Sequence, residues 1–397
     1  MANKSVFTPR QAVTFCFIAF GAMVGSNVGS LPILRGQSAV TDISFGLLAA
    51  LGTLSNVGVM GFGGTVNRHF DHRSVLLFVL PVLFATLVFI QSVHSIASFA
   101  FGMVAFNMAL GLLDLFMNAE GTSVEHDAGR PILSAFHGAV LYAIGGFSFI
   151  GSYVSVNYGA MWAIVPPLPF VVLAFVAVVD AIPKRDHEVE AQRPLAAALP
   201  RPALFLIGAV IGLDVACELA CIQWSGQMLA MLRPELAAYS GLGVAFYGFC
   251  SGSMRLIGDR LRQKFGDVPI VATSICVALL GLITLAFAPG FLPSVIAFAI
   301  VGLGLALVFP SLFSLAASLA PESRAAALGL VSAVSGPPRI VLPIVLGIIA
   351  GAYGLSAIYV AATIAAMMAL GFTVWAGIEV AKAKKARVSP RLAINKN

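Results

Sequence analysis

Three ionisable side chains sit where an apolar sequence has little use for them. Asp214 and Glu218 lie four residues apart within the stretch 203–224, and Arg339 lies midway along 325–350. An ionised group at the centre of a lipid-embedded helix costs roughly 2.5–3.5 kcal/mol on insertion scales, so it faces a wet cavity or a partner. At a spacing of four the two acids share a helix face. Either could take a proton, and Arg339 could pair with either. Protonation would then break the pair and bias one conformation over another. The competing reading is a static buried pair that only fixes helix packing. The segment SGPPRIVLP surrounds Arg339 with Pro337, Pro338 and Pro343. Prolines free backbone carbonyls toward a cavity. A planar guanidinium there could hold a carboxylate, a phosphate or polyol hydroxyls. A kink without binding is the alternative.

Further polar side chains fall within apolar stretches: Asn27, Asn56, Gln91, Asn107, Tyr142, Gln223, Trp224 and Tyr247. Hydroxyl-rich ligands need amide partners and an aromatic platform, which Asn27, Asn107, Gln223 and Trp224 could supply. Hydrogen bonding between helices, worth about 0.6 kcal/mol per contact, explains any one of them equally well. A second group lies at stretch ends. Asp114 and Asn118 are one turn apart; Glu125, Arg130 and His137 follow. With Arg68 or Arg73 they could build an ion-paired gate, or they could be a solvated turn with a helix cap. No two histidines have H-E-x-x-H spacing, and the five cysteines show no paired spacing for zinc or disulfides, so no metal or cofactor is expected.

The elements that must position these residues are long apolar helices. Of 397 residues 59% are apolar and only 10% charged. A soluble domain carries about 25% charged residues. A soluble enzyme, a nucleic-acid-binding domain and a disordered chain are thereby disfavoured. A bilayer core needs about 20 apolar residues per helix. Twelve stretches qualify: 11–33, 42–65, 74–93, 95–118, 131–152, 158–180, 203–224, 236–257, 268–288, 291–319, 325–350 and 354–379. Of 23 basic residues, 20 fall on the side shared by both termini. Only Arg35 and Arg233 fall opposite, and Arg339 lies within a span. By the positive-inside rule both termini are cytoplasmic. The net charge of +6 is thus a topology signal and not a nucleic-acid patch.

The polar connection 181–201 divides the chain into six spans plus six. The expected units are a six-helix bundle at 1–180, a central loop at 181–201, a second bundle at 202–380 and a basic tail at 381–397. GGTVNRHFDHRSVLL after span 2 and IGDRLRQKFGDVPIV after span 8 occupy equivalent places, as a duplicated architecture requires. Glycines at 21, 25 and 29 in span 1, and the text GVMGFGG in span 2, point to close helix contacts.

Gly258-Asp259-Arg260 followed by Phe265-Gly266 resembles the inter-helix loop motif of the major facilitator superfamily. The resemblance implies that Asp259 and Arg260 belong to a cytoplasmic latch. The first-half copy departs from it, with Arg68 where the aspartate belongs and Asp71 where the second glycine belongs. Gly111, Asp114, Met117-Asn118, Gly121, Val124-Glu125, Gly129-Arg130-Pro131, Ser134 and Phe136-His137-Gly138 are similar to the bacterial YbjJ-like branch. That branch is itself similar to fucose-permease-like sugar transporters. SLPILRGQSAVTDISFGLL (30–48), Glu218 with Gln223-Trp224-Ser225, and GLGLALVFPSLFS (302–314) agree with it. The branch usually has an acid where Gln223 stands.

The resemblance implies twelve transmembrane helices in two pseudo-symmetric bundles, with spans 1, 4 and 7 lining a central cavity. It implies a secondary transporter in the bacterial inner membrane, working as a monomer without ATP. The expected cargo is a small polar solute, such as a sugar, polyol or amino-inositol. A proton is the expected coupling ion, through Asp214 or Glu218, and the substrate contacts are Asn27, Asn107, Gln223, Trp224 and Arg339. Export of amphipathic drugs or metabolites, and a transport-inactive sensor, are the alternatives.

Overall fold

The computed structural model describes residues 5–129, 132–184, 199–287, 290–321 and 323–394; the side chains of 67, 68, 325 and 383–394 lie outside that description. The first segment contains α1 (Pro9–Gln37), α2 (Asp42–Gly61), α3 (Gly63–His69), α4 (His72–Gln91), α5 (Ile96–Ala128), α6 (Leu133–Tyr158), a 3-10 turn (Ala160–Ile164) and α7 (Leu168–Ala181). The second contains α8 (Arg201–Leu232), a 3-10 turn (Pro234–Tyr239), α9 (Leu242–Phe265), α10 (Asp267–Phe287), α11 (Phe291–Leu305), α12 (Val308–Leu319), α13 (Arg324–Tyr353) and α14 (Leu355–Ile394).

Local chemistry sets these boundaries. Thr8 and Gln11 form a capping box at the start of α1, where Pro9 needs no N–H partner. The apolar stretch expected at 42–65 ends at Gly61, and GVMGFGG runs into the short α3. The expected span 236–257 is α9, which starts later and runs on to Phe265. Its last turns carry Arg255, Asp259, Arg260, Arg262 and Lys264, so the motif Gly258-Asp259-Arg260 is helical rather than a loop. Gly266, at φ +84°, ends the helix. The stretch 291–319 is two helices, α11 and α12, broken at Ala306 and Leu307. The expected separate tail is, in backbone, a continuation of α14. Most of the central loop, 185–198, lies outside the described residues.

Eleven helical segments among the described residues are long and apolar enough to cross a membrane. The charged last third of α9 keeps that helix from qualifying on composition. Five packing pairs of the first segment recur in the second. α1 packs on α6 and α7, as α8 packs on α13 and α14. α2 and α4 pack on α5, as α9 and α10 pack on α11, and α4 meets α7 as α10 meets α14. Between the segments, α2 lies on α13 and α6 lies on α9. α1 is the most enclosed of these spans, α8 and the α11–α12 span follow equally, and α1 and α8 touch each other.

Two ends of the molecule can be distinguished. The near end holds Phe7, whose N–H donates to Asp180 Oδ2 at 2.8 Å, and Arg73, whose Nη2 donates to the Val179 carbonyl at 2.7 Å. The far end holds the α1–α2 turn and the start of α14. Gly25 and Gly29 of α1 let α6 approach: a Cβ on Gly29 would sit 2.8 Å from the Ser152 nitrogen. Within GVMGFGG the glycines divide: Gly63 lies against the Leu115 side chain, while Gly58 and Gly61 have nothing within 4 Å of a Cβ.

Overpacking a tight site costs about 1–3 kcal/mol. Gly29→Val is therefore expected to lower the thermal unfolding midpoint in detergent by several degrees. Gly336→Ala, where a Cβ meets nothing within 4 Å, is expected not to lower it.

Candidate functional site

The two ends differ in closure. At the far end Arg35, in the last turn of α1, is 4% exposed and is ion-paired with Asp42, the first residue of α2. Its guanidinium carbon lies 4.5 Å from the ring centroid of Phe45 and 5.2 Å from that of Trp224. Phe45 meets Trp224 edge-on, with centroids 5.0 Å apart. Arg35, Asp42 and Phe45 belong to the first segment and Trp224 to the second. A desolvated cation over aromatic faces contributes about 2 kcal/mol, so this cluster clamps the segments together. Nearby, a Cβ on Gly46 would lie 2.8 Å from Gly347 Cα, and the Ser152 hydroxyl accepts from the Gly241 N–H at 3.0 Å.

Toward the near end α2 and α13 diverge. Gly58 on α2 and Gly329 and Gly336 on α13 have open space where a Cβ would be. A cavity of about 450 Å³ lies there between α6, α9, α12 and α13. Ser134 and His137 line it from the first segment, Arg255, Asp259, Arg262 and Phe309 from the second. Phe309 and Phe313 form a stacked pair 5.3 Å apart on its wall.

The deep ionisable groups divide between this cavity and a dry seam. Glu218 Oε1 accepts from the Tyr247 hydroxyl at 2.8 Å and lies 3.6 Å from Arg255 Nη2. Arg255 is itself on the cavity wall. Arg339 does not pair with either acid, contrary to expectation; among the described residues it makes no ion pair, and its Nε has no protein partner. Its guanidinium instead lies 5.9 Å from the Phe309 ring. Glu218 is paired instead by Arg255 of α9. Asp214 points elsewhere. It is 2% exposed, both oxygens lack a partner, and Cys217, Ile275, Leu305, Ala366 and Ala369 surround it. One turn of α8 thus separates a carboxylate paired with a cavity-wall arginine from one in an apolar seam.

The polar candidates also separate. Asn27 Oδ1, Gln223 Oε1 and Trp224 Nε1 are buried without protein partners. So is Gln227 Oε1, one turn beyond Gln223. Buried polar atoms are ordinarily satisfied, so such a group marks a place for a polar ligand. Asn107 is not among them. Its Nδ2 donates to the Met103 carbonyl at 2.9 Å, and its own carbonyl accepts from Asn56 Nδ2 at 3.1 Å. The bond from α2 thus falls on its backbone, and its side chain bonds within α5 and packs against Gly52 of α2.

Among the described residues the expected gate carboxylates and Arg73 do not pair with one another. Asp114 Oδ1 accepts from Asn118 Nδ2 at 2.8 Å, within α5. Glu125 Oε2 accepts the N–H groups of Ile132 and Leu133, both at 2.7 Å, and so caps α6. Arg73 holds a backbone carbonyl. Arg130 and the Arg68 side chain lie outside the described residues. Asp259 pairs with Arg262 at 3.2 Å, Arg262 also reaches Asp267 at 2.9 Å, and Arg260 is exposed. Every ion pair described at this end stays within one segment, as an open end requires. In the first segment, near the equivalent place, His72 Nδ1 lies 3.1 Å from Glu120 Oε2.

Sequence reasoning overlooked Arg35 as more than a side marker, and overlooked Arg255 and Glu120. Arg35 and Asp42 flank a short turn, a legible pairing signal. Arg255 gave none, because its partner is 37 residues away on another helix.

No family profile matches the chain. An uncharacterised MFS-type transporter of Yersinia pestis is 24% identical over 339 residues, covering 83% of this chain and 88% of that protein. Membrane protein MosC of Rhizobium meliloti is 26% identical over 355 residues, covering 87% of this chain and 84% of its own. Among solved structures, the nucleoside transporter NupG superposes with a TM-score of 0.71 at 14% identity, covering 94% and 98% of the two chains. A bacterial homologue of the human lysosomal transporter Spinster, inward-facing and unoccupied, gives 0.67 at 12% identity, with 94% and 98% covered. These structures share the fold, and the curated relatives share the sequence along most of their length. Along most of its length the chain is similar to membrane transporters of the major facilitator type, and it has the fold of such transporters.

Proposed function

We propose that the chain moves a small polar solute across the bacterial inner membrane by alternating access, driven by a proton gradient. The observation that carries this reading is the contrast between the ends: a buried Arg35 clamp at one, an open cavity at the other. Rocking two units about a buried site exchanges which end is open. The units are two pseudo-symmetric six-helix bundles, 1–180 and 202–380, with α9 as the twelfth span. The recurring packing pairs support this division. The clustering of basic residues at the near end supports cytoplasmic termini and a cleft open to the cytoplasm. The cleft lies within one chain, so a monomer suffices.

Solute binding falls to Asn27, Gln223 and Trp224, whose buried polar atoms lack partners, and to Arg339. Asn107 supports α2 and is withdrawn to a packing role. A sugar, polyol or amino-inositol suits amide groups beside an aromatic ring. Glu218 couples the proton by exchanging Arg255 for it. Asp214 is the second carboxyl on that helix, and among the described residues no cation pairs with it. Arg73, Asp114, Glu125, Asp259 and Arg260 occupy the end that must close in the opposite state, and Arg68 and Arg130 are assigned to the same closure by their place in the sequence.

Uptake of radiolabelled sugars, polyols and amino-inositols into proteoliposomes under an imposed pH gradient tests this. The protein is expected to accumulate at least one of them, and Glu218→Gln to abolish accumulation while sparing equilibrative exchange. Accumulation unchanged in both Glu218→Gln and Asp214→Asn would remove the coupling assignment. The far-end clamp gives a separate expectation. Losing about 2 kcal/mol of cation–π contact corresponds to more than about a tenfold shift in an equilibrium. Arg35→Gln should therefore raise, by about that factor, the rate at which an impermeant maleimide added outside the cell labels Gln223→Cys.

A further inference from the structure

The break between α11 and α12 has a specific cause and a specific repair. Pro310 lies four residues after Ala306 and has no N–H to offer its carbonyl. A backbone carbonyl left unpaired in a membrane-embedded helix costs several kcal/mol. Arg255 supplies the missing donor from α9: its Nε donates to the Ala306 carbonyl at 3.2 Å. The same guanidinium lies 3.6 Å from Glu218 through Nη2. One side chain thus joins the carboxylate of α8 to the bend in the span formed by α11 and α12. Both ionic partners are only about one fifth exposed, at 20% and 19%. Just beyond the bend, Leu307, Phe309 and Phe313 form the cavity wall.

We propose that Arg255 is a positioning residue that transmits the protonation of Glu218 to this bend, and so to the aromatic wall of the cavity. The proposal rests on the proton-coupled reading above. With Glu218 ionised, the guanidinium is held at two points and the bend is tied to α8. When a proton neutralises Glu218, the pair loses its charge, and Arg255 is left on the Ala306 carbonyl alone. α12 is then free to move relative to α8. The remaining ionisable groups around Glu218 are few. Its own helix brings Asp214, Cys217 and Cys221; α9 brings Tyr247; α13 brings Arg339; and α6 brings His137, which faces Arg255 across the cavity and stays in place in every variant tested below. α14 brings Tyr359, which faces Cys221. α11 and α12 carry no ionisable side chain, Arg35 of α1 is held by Asp42, and Arg233 and Glu235 of the adjoining 3-10 turn pair with each other. None of the others bridges Glu218 to another span's backbone.

The test needs no known cargo. Ser314, on the cavity wall, is changed to Cys in the full chain in liposomes. Its labelling by an impermeant maleimide is followed site by site by peptide mass spectrometry. Rates at pH 5.5 and pH 8 are normalised to the denatured protein, which removes the thiol's own ionisation. The parent is expected to show a severalfold pH response, and Glu218→Gln to show one rate at both values. Arg255→Lys keeps the charge but has no fork to hold two partners, so it is expected to lose the response as well. Pro310→Ala returns an N–H to the Ala306 carbonyl and is expected to blunt the response with Arg255 intact. A response in Arg255→Lys and Pro310→Ala equal to that of the parent overturns the relay and leaves proton coupling standing. A parent without any pH response overturns both.

Discussion

A charge inside a bilayer must be answered by something other than water, and this structure depends on how it answers three guanidiniums. Arg35 is met by a carboxylate and two aromatic rings. Arg255 is met by a carboxylate and a backbone carbonyl. Arg339 has an aromatic ring and, among the described residues, no acid paired with it. Each solution removes some of the cost of burial, and each ties helices together. Arg35 ties the first segment to the second at the far end. Arg255 ties α8 and α9 to the bend between α11 and α12. Arg339 ties least, and it stands beside the cavity wall.

Packing tells the same story without charge. In lipid, helices associate by close contact of small residues rather than by the hydrophobic effect. Gly46 meets Gly347, and Gly145 lies against Ala245, where the two segments touch. Gly58, Gly329 and Gly336 face open space. The same residue type therefore closes one end and leaves the other unfilled. A molecule held this way opens at one end through loss of contacts that are individually weak, with the far-end clamp as the stronger tie.

Much of the architecture was legible in the sequence because apolar length and basic-residue placement are one-dimensional signals. The helices fall where those signals put them, apart from details with local causes. α9 extends into charged text because a helix can leave the membrane without ending. The span 291–319 breaks because Pro310 withholds a donor, a signal present in the sequence but weighed only for Pro337, Pro338 and Pro343. The site was less legible. Asn107, Asp114 and Glu125 each had two readings, and each side chain found a partner within its own helix or at the next helix start. Direction around a helix decides such cases, and spacing alone does not give the partner helix. Asp214 and Glu218 share a face by spacing, yet one lies in a seam with α10 and α14 and the other meets α9.

That separation bears on how a transporter of this kind can use two acids one turn apart. A carboxylate that holds an arginine exchanges one cation for another when it takes up a proton, so its titration changes a contact. A carboxyl among apolar side chains has no contact to change; its titration alters only the cost of burial. The first kind can move a helix, and the second can only favour whichever arrangement admits water to it. Glu218, with Tyr247 and Arg255 on one oxygen, is of the first kind. Asp214, with both oxygens unpartnered, is of the second. The mechanical link to the cavity therefore runs through Glu218, and it reaches the cavity wall because a proline left the Ala306 carbonyl in need of a donor.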